Sequence, residues 1–501
     1  MNRLTIATLL VALLAIGLMG LVVIKRAASV RESSGLAPGT AQTSGCEEES
    51  LYAVWRSAHG QQIYTDTAKI PFAAAYFNWL FYRGYGPVLR PLLAWRGDEA
   101  LPYLGRLITL IGALIGGLVA VALFTAVGGR DAPALKAAAT VLGLMAFLGP
   151  LPGWWILSVR PDIWALALET AGVAALLLLH QKLPRAAVIG AALLFYAAWS
   201  CKQTYVAGAG ASLIFLLARR NWRDALLLAS LSALLVVPTI LMLGPDYRFT
   251  QRAAAIAADF QLETGWGNLV SAIEKSFPLL LALPLVYRAW REQGFRPAMP
   301  SLASDALLLG TVGLGLSLAE ALPASCKSGA ATNYYFTCFL MLGLAAVAAF
   351  RLTAVRWTPF FVCSALVLLL AMASSGRFGT LSIRPEAELL ARRWTAWQQQ
   401  PEPRYSSDSR LNLPWLLHDS PPIVRAFNYE WDRAHLRHFE AGGIGGLIES
   451  GFFASLLLPR ETTDVYDRGL LSLYIREGEV AGLVLFRRRD QVFSKSVTIH
   501  P

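Results

Sequence analysis

Residues Leu4–Ile24, LTIATLLVALLAIGLMGLVVI, run for 21 positions without a charged side chain, directly after Arg3. At about 1.5 Å per residue, a helix of this length crosses the roughly 30 Å hydrocarbon core of a bilayer. A signal-peptide apolar region is shorter, about 7–15 residues, and ends at a small-residue cleavage site. The stretch therefore predicts a retained first membrane helix. Ten further apolar segments follow, at about 102–127, 137–151, 163–180, 186–200, 204–218, 225–244, 269–286, 303–322, 332–350 and 357–374. The expected fold class is an α-helical polytopic membrane protein of about eleven transmembrane helices.

Composition agrees with this reading. Of 501 residues, 55% are hydrophobic and only 15% charged, with a mean hydropathy of +0.48; a soluble domain carries about 25% charged residues. The net charge of +11 would suit a nucleic-acid binder if the basic residues were clustered on one surface. They are instead dispersed among alternate loops. Those at 128–136, 181–185, 219–224, 287–300 and 351–356 hold twelve basic and three acidic residues, against five basic and four acidic in 152–162, 200–203, 245–268 and 323–331. Lys and Arg are retained on the cytoplasmic side, so the pattern predicts a cytoplasmic N-terminus, an external first loop at 25–101 and an external C-terminus. Lys25 and Arg26 oppose that orientation, but they open a long loop, where the rule is weak. No nucleic-acid partner is expected. The five cysteines (Cys46, Cys201, Cys326, Cys338, Cys363) show neither metal-ligand nor disulfide spacing.

Two units are expected: a transmembrane catalytic domain, 1–374, and an external α/β domain, 375–501. The second is ordinary in composition, with sixteen basic and fifteen acidic residues. Pro385–Gln400 has helical periodicity, and Phe452–Leu458 and Ala481–Arg487 read as strands.

Polar residues that are costly at membrane depth gather at the external helix ends. They include Glu47, Glu48, Glu49, Asp66, Arg160, Asp162, Lys202, Gln203, Lys327, Asn333 and Tyr334. Adjacent glutamates repel, and partial burial raises a carboxylate pKa, which suits a general base. A solvated acidic run is the alternative, although the run leads straight into the apolar, aromatic Leu51–Arg56. Lys202 could merely snorkel, Arg160 and Asp162 could pair and cap a helix, and Asn333 and Tyr334 could form a helix start with an interfacial aromatic. His435 and His438 have no third ligand in view. Tyr76–Trp95 reads as an amphipathic stretch along the membrane surface, with Arg83 and Arg90 at headgroup level. No Gly-rich nucleotide cradle is present.

The order of these motifs resembles the C-type, multi-spanning glycosyltransferases that use polyprenyl-phosphate sugars, related to protein O-mannosyltransferases and aminoarabinose transferases. The resemblance rests on Glu47…Tyr52…Gly60…Tyr64-Thr65-Asp66, Pro71 and Tyr76-Phe77-Asn78-Trp79. It continues with Gly105-Arg106, Arg160-Pro161-Asp162, Lys202-Gln203-Thr204 and Gly329-Ala330-Ala331-Thr332-Asn333-Tyr334. It covers about 1–375 and departs from the family pattern at Cys46 and Glu48, which leaves the register among Glu47, Glu48 and Glu49 open.

The resemblance implies transfer of a sugar to a glycan, lipid or protein acceptor at the external face of a bacterial inner membrane. Glu47 would be the base and Asp66 a second carboxylate; Arg160, Lys202 and Lys327 would hold the donor phosphate. Asp162, Gln203, Asn333 and Tyr334 would line the cavity. No cofactor is certain, and a divalent metal is possible. The rival is a polytopic transporter or flippase, which would place ionisable residues through the midplane and interrupt helices in two corresponding halves. No internal repeat of that kind is visible.

Overall fold

The computed structural model of the chain describes residues 3–36, 43–45, 47–129, 132–256, 259–293, 301–353, 358–375, 381–424, 438–460 and 470–490. Cys46 and His435 lie outside them.

Every apolar segment carries a helix. Seven are long and apolar enough to cross a membrane by themselves. These are α1 (Arg3–Ser34), α4 (Leu101–Gly128, with a preceding 3-10 turn), α6 (Asp162–Leu179), α7 (Pro184–Cys201), α9 (Trp222–Met242), α13 (Leu302–Ala324) and α14 (Phe336–Thr353, entered through the 3-10 turn Thr332–Tyr335). The segment at 269–286 is a pair, α11 (Leu262–Leu280) and α12 (Leu283–Gln293), bent by 61°. Three shorter apolar helices, α5 (Pro133–Leu148), α8 (Ala207–Ala218) and α15 (Thr358–Ser375), complete the set. Among the described residues before 376, three helices are not spans: α2 (Glu47–Ala58), α3 (Trp79–Arg96) and α10 (Gly244–Ile256).

Composition alone does not separate lipid-facing from central helices, because both are apolar all round. The structure does. On α14 every residue from Phe336 to Phe350 is buried, against α13, α12, α4 and α5. On α9, Leu226, Leu234, Val237 and Leu241 are exposed and face outward. Close approach inside the bundle relies on small residues. A Cβ on Gly143 of α5 would stand 2.7 Å from the backbone nitrogen of Val121 on α4, so only glycine permits that crossing. Helix α3 buries Phe81, Tyr82, Tyr85, Leu89 and Leu93 and exposes Val88, Leu92 and Trp95.

The C-terminal residues form α16 (Arg384–Trp397) and a four-stranded sheet, β1 (Arg404–Ser406), β2 (Ser455–Pro459), β3 (Tyr474–Val480) and β4 (Leu483–Arg488), in the order β1-β2-β4-β3. β1 runs parallel to β2; the other pairs are antiparallel. Ala481 and Gly482 both have positive φ in the tight β3–β4 turn, the backbone that a two-residue hairpin with right-handed strand twist demands. Arg393 of α16 donates two hydrogen bonds, at 3.2 and 3.0 Å, to the Ala481 carbonyl.

The loop after α2 is part of this unit's packing. Phe72 is buried among Tyr405, Ile423, Ile444, Phe453 and Leu456. The Glu440 amide donates to the Ala68 carbonyl at 2.9 Å, and the Ile70 amide donates to the Glu440 carboxylate, also at 2.9 Å. The loop is thereby pinned over the helix ends where the polar motifs lie.

Candidate active site

Helix α2 opens on three glutamates, where carboxylates favour the positive end of the helix dipole. Successive helical positions differ by about 100°, so the three side chains leave in three directions. Glu47, 1% exposed, points into the bundle. Arg106 of α4 grips it with two hydrogen bonds, Nε to Oε1 at 3.0 Å and Nη2 to Oε2 at 2.6 Å. The Val159 amide donates to Oε1 at 2.7 Å, and the Thr43 hydroxyl to Oε2 at 2.8 Å. All four acceptor positions of this carboxylate are therefore engaged. Glu48 turns the other way and accepts from the Ser409 hydroxyl of the C-terminal unit at 2.8 Å. Burial raises its pKa, the bonds from its own backbone and Ser409 and the charge of Arg410 oppose the rise, and Asp408 adds to it.

Glu49, 6% exposed, lines a cavity of about 270 Å³. The cavity brings together seven of the residues singled out from the sequence: Glu49, Arg160, Lys202, Gln203, Lys327, Asn333 and Tyr334. They come from the first loop, the turn before α6, the turn after α7 and the segment between α13 and α14, so four distant parts of the chain converge. Glu47, Glu48, Asp66 and Asp162 are not in its wall. Asp66 is part of the loop, where its Oδ1 accepts from the Ala68 amide at 3.0 Å, an Asx-type turn.

Asp162, fully buried at the start of α6, organises the floor. Lys202 Nζ donates to its Oδ1 at 2.5 Å and Asn333 Nδ2 donates to the same oxygen at 2.7 Å; Arg160 Nε is 3.9 Å from Oδ2. The Arg160 guanidinium donates to the Gly45 carbonyl at 2.5 Å and stands 4.9 Å from the Phe77 ring centroid and 5.0 Å from that of Trp155. Lys202 Nζ lies 5.1 Å from the Tyr334 ring centroid. The two cations are thus fixed by a carboxylate below and aromatic faces beside them. Fixed cations of this kind stabilise a developing anion without reorganising. Lys327 is held in the wall by a β-bridge between its segment and Phe260.

Gln251, on α10, was not singled out from the sequence, where no motif marks that segment; the Tyr76 carbonyl accepts from it at 3.1 Å and from Gln203 at 3.0 Å. Arg106 was quoted as part of a motif, yet its partner could be found only in space. Deeper in the bundle, the Glu169 carboxylate accepts from the Gly208 amide at 2.8 Å and from Thr337 at 2.7 Å. Among the described residues no three or more His, Cys, Asp or Glu side chains converge into a metal-holding group.

No protein-family model and no curated protein matches this sequence. Among solved structures, the crystal structure of ArnT from Cupriavidus metallidurans in the apo state superposes with a TM-score of 0.57 at 13% identity, covering 94% of this chain and 97% of that one. The chain therefore has the overall polytopic fold of that ArnT structure.

Proposed function

We propose that the chain is a membrane glycosyltransferase that moves a sugar from a polyprenyl-phosphate donor to an envelope glycan, lipid or protein on the external face of a bacterial inner membrane. The N-terminus is cytoplasmic and the C-terminal unit external in this reading. The observation that carries it is the cavity itself, where the Glu49 carboxylate shares a wall with Arg160, Lys202 and Lys327. One anion and three cations in a membrane-edge cavity match the two charges that the reaction must manage. The ArnT fold supports the same class.

In this mechanism Glu49 removes a proton from the acceptor hydroxyl or amine, and the freed electron pair forms the new bond at the anomeric carbon. The bond from that carbon to the phosphate oxygen breaks, and its electrons leave on the polyprenyl phosphate. Arg160 and Lys202, with Lys327 at the rim, stabilise that charge as it grows. In-line attack inverts the anomeric centre. Glu47 is a positioning residue here, since its four hydrogen bonds set the start of α2 and hence the direction of Glu49. The base role implied for Glu47 by resemblance is accordingly moved to Glu49.

The test is transfer from a panel of labelled polyprenyl-phosphate sugars by purified full-length protein. Glu49→Gln is expected to lower the rate by about a hundredfold or more without altering thermal stability. Wild-type transfer by Glu49→Gln would overturn the assignment, and transfer from none of the donors would overturn the class.

A further inference from the structure

A second cavity, of about 470 Å³, lies in the C-terminal unit between α16, the start of β1 and the turn at Pro414–Leu416. Its size falls within the roughly 300–1,000 Å³ of small-molecule sites. Two tryptophans, Trp394 and Trp415, form part of its wall, with Gln398, Gln400, Arg404, His418 and the carboxylates of Glu402 and Asp419 beside them. Both indoles also pack on the apolar cluster that contains Tyr52, Leu413 and Leu416. They are seated on a core as well as bordering the cavity.

Arg404 is 4% exposed, and its guanidinium is held by its outer nitrogens. Nη1 donates to the Trp397 carbonyl at 2.9 Å and Nη2 to the Leu416 carbonyl at 3.0 Å, with the Trp394 ring centroid 5.8 Å away. The Arg404 charge is answered by Glu402, 3.3 Å from Nη2, and Asp419 leaves the wall with one net negative charge, which disfavours an anionic ligand. What remains is aromatic surface, carboxylates that accept, and groups that both donate and accept, the two glutamines and the histidine.

We propose that this cavity binds a neutral saccharide. Pyranose C–H faces lie against indole rings, while hydroxyls donate to the Asp419 carboxylate and both donate and accept at the amides. Trp415 and Trp394 share their cluster with Tyr52 and Trp55 of α2, three and six residues from Glu49, about 4.5 and 9 Å along the helix. On the transferase reading, the cavity holds a glycan portion of the acceptor beyond its reacting end. The binding assignment itself does not depend on that reading.

The experiment titrates full-length protein in nanodiscs with linear tetrasaccharides of glucose, mannose and galactose, by calorimetry and saturation-transfer NMR. At least one is expected to bind saturably. Trp415→Ala should weaken it about tenfold, a loss appropriate to an aromatic contact with its buried area. Gln398→Ala with His418→Ala, at side chains outside the packed core, should weaken it about threefold at unchanged melting temperature. Failure of all three sugars to bind, or affinity held within twofold in both variants, overturns the proposal. Sugar binding without any transfer would leave it standing and remove the transferase reading; an unchanged acceptor KM in the variants would remove only the acceptor role.

Discussion

Glu47→Gln separates a positioning carboxylate from a chemical one. In the wild type, Oε1 accepts from Arg106 Nε and Val159 N, and Oε2 from Arg106 Nη2 and Thr43. An amide can keep only one of those oxygens; the other becomes an NH2 facing two donors, whichever way it is turned. The substitution also leaves the Arg106 guanidinium, 4% exposed in its side chain, without its counter-charge. Removing one partner of a buried pair costs about 3–5 kcal/mol. With an unfolding entropy of about 2.1 cal/mol/K per residue, a chain of 501 residues gains roughly 1 kcal/mol/K, so the melting temperature should fall by about 3–5 °C. Scanning fluorimetry of detergent-purified protein measures it. Adding Arg106→Met should recover most of the loss, because an apolar replacement removes the stranded charge. A Glu47→Gln protein that melts within 1 °C of wild type yet transfers no sugar would refute the positioning role and return the base to Glu47.

Four other outcomes follow from the same geometry. Glu48→Gln should be neutral or stabilising at pH 7, since the folded state raises this carboxyl's pKa mainly by burial. Such a group favours folding below its unfolded value of about 4.3 and loses that contribution as pH rises through the folded value; destabilisation at pH 7 would contradict this. Asp408 behaves in the opposite sense. Burial alone would raise its pKa, but Arg410 and Arg393 hold it below the ordinary carboxylate value. Its contribution is complete above about pH 4 and disappears as pH falls through the lowered value, so Asp408→Asn should flatten the acid limb of a stability-against-pH curve. Gly143→Ala should cost about 1–3 kcal/mol, visible as a lower melting temperature, because the obstructing atom is backbone. A cysteine placed at exposed Gln399 should react with an impermeant thiol reagent on intact cells; reaction only after permeabilisation would invert the proposed orientation.

Lys202 shows where sequence reading stops. By itself, a lysine at a helix end is as well explained by snorkelling as by binding. Asp162, forty residues earlier in the chain, holds its ammonium at 2.5 Å, inside a wall shared with Glu49 and Lys327, a placement that no local pattern around Lys202 encodes. The strands at Ser455–Pro459 and Leu483–Arg488 were visible from their apolar runs. β1 is three residues long and β3 is exposed along much of its length, so neither has a pattern of its own; their pairing with β2 and β4 creates them.

The sequence by itself determined that the chain lives in a membrane, the approximate position of every apolar helix, and the end of the bundle at which polar chemistry collects. These are properties of segment length, hydropathy and charge, which local composition carries. Only the tertiary structure decided the fate of Glu47, Glu48 and Glu49. Neighbours in sequence, they are turned about 100° apart by the helix and meet Arg106, Ser409 and an open cavity in turn. A carboxylate's role is set by what surrounds it, and those surroundings come from parts of the chain as far as 361 residues away.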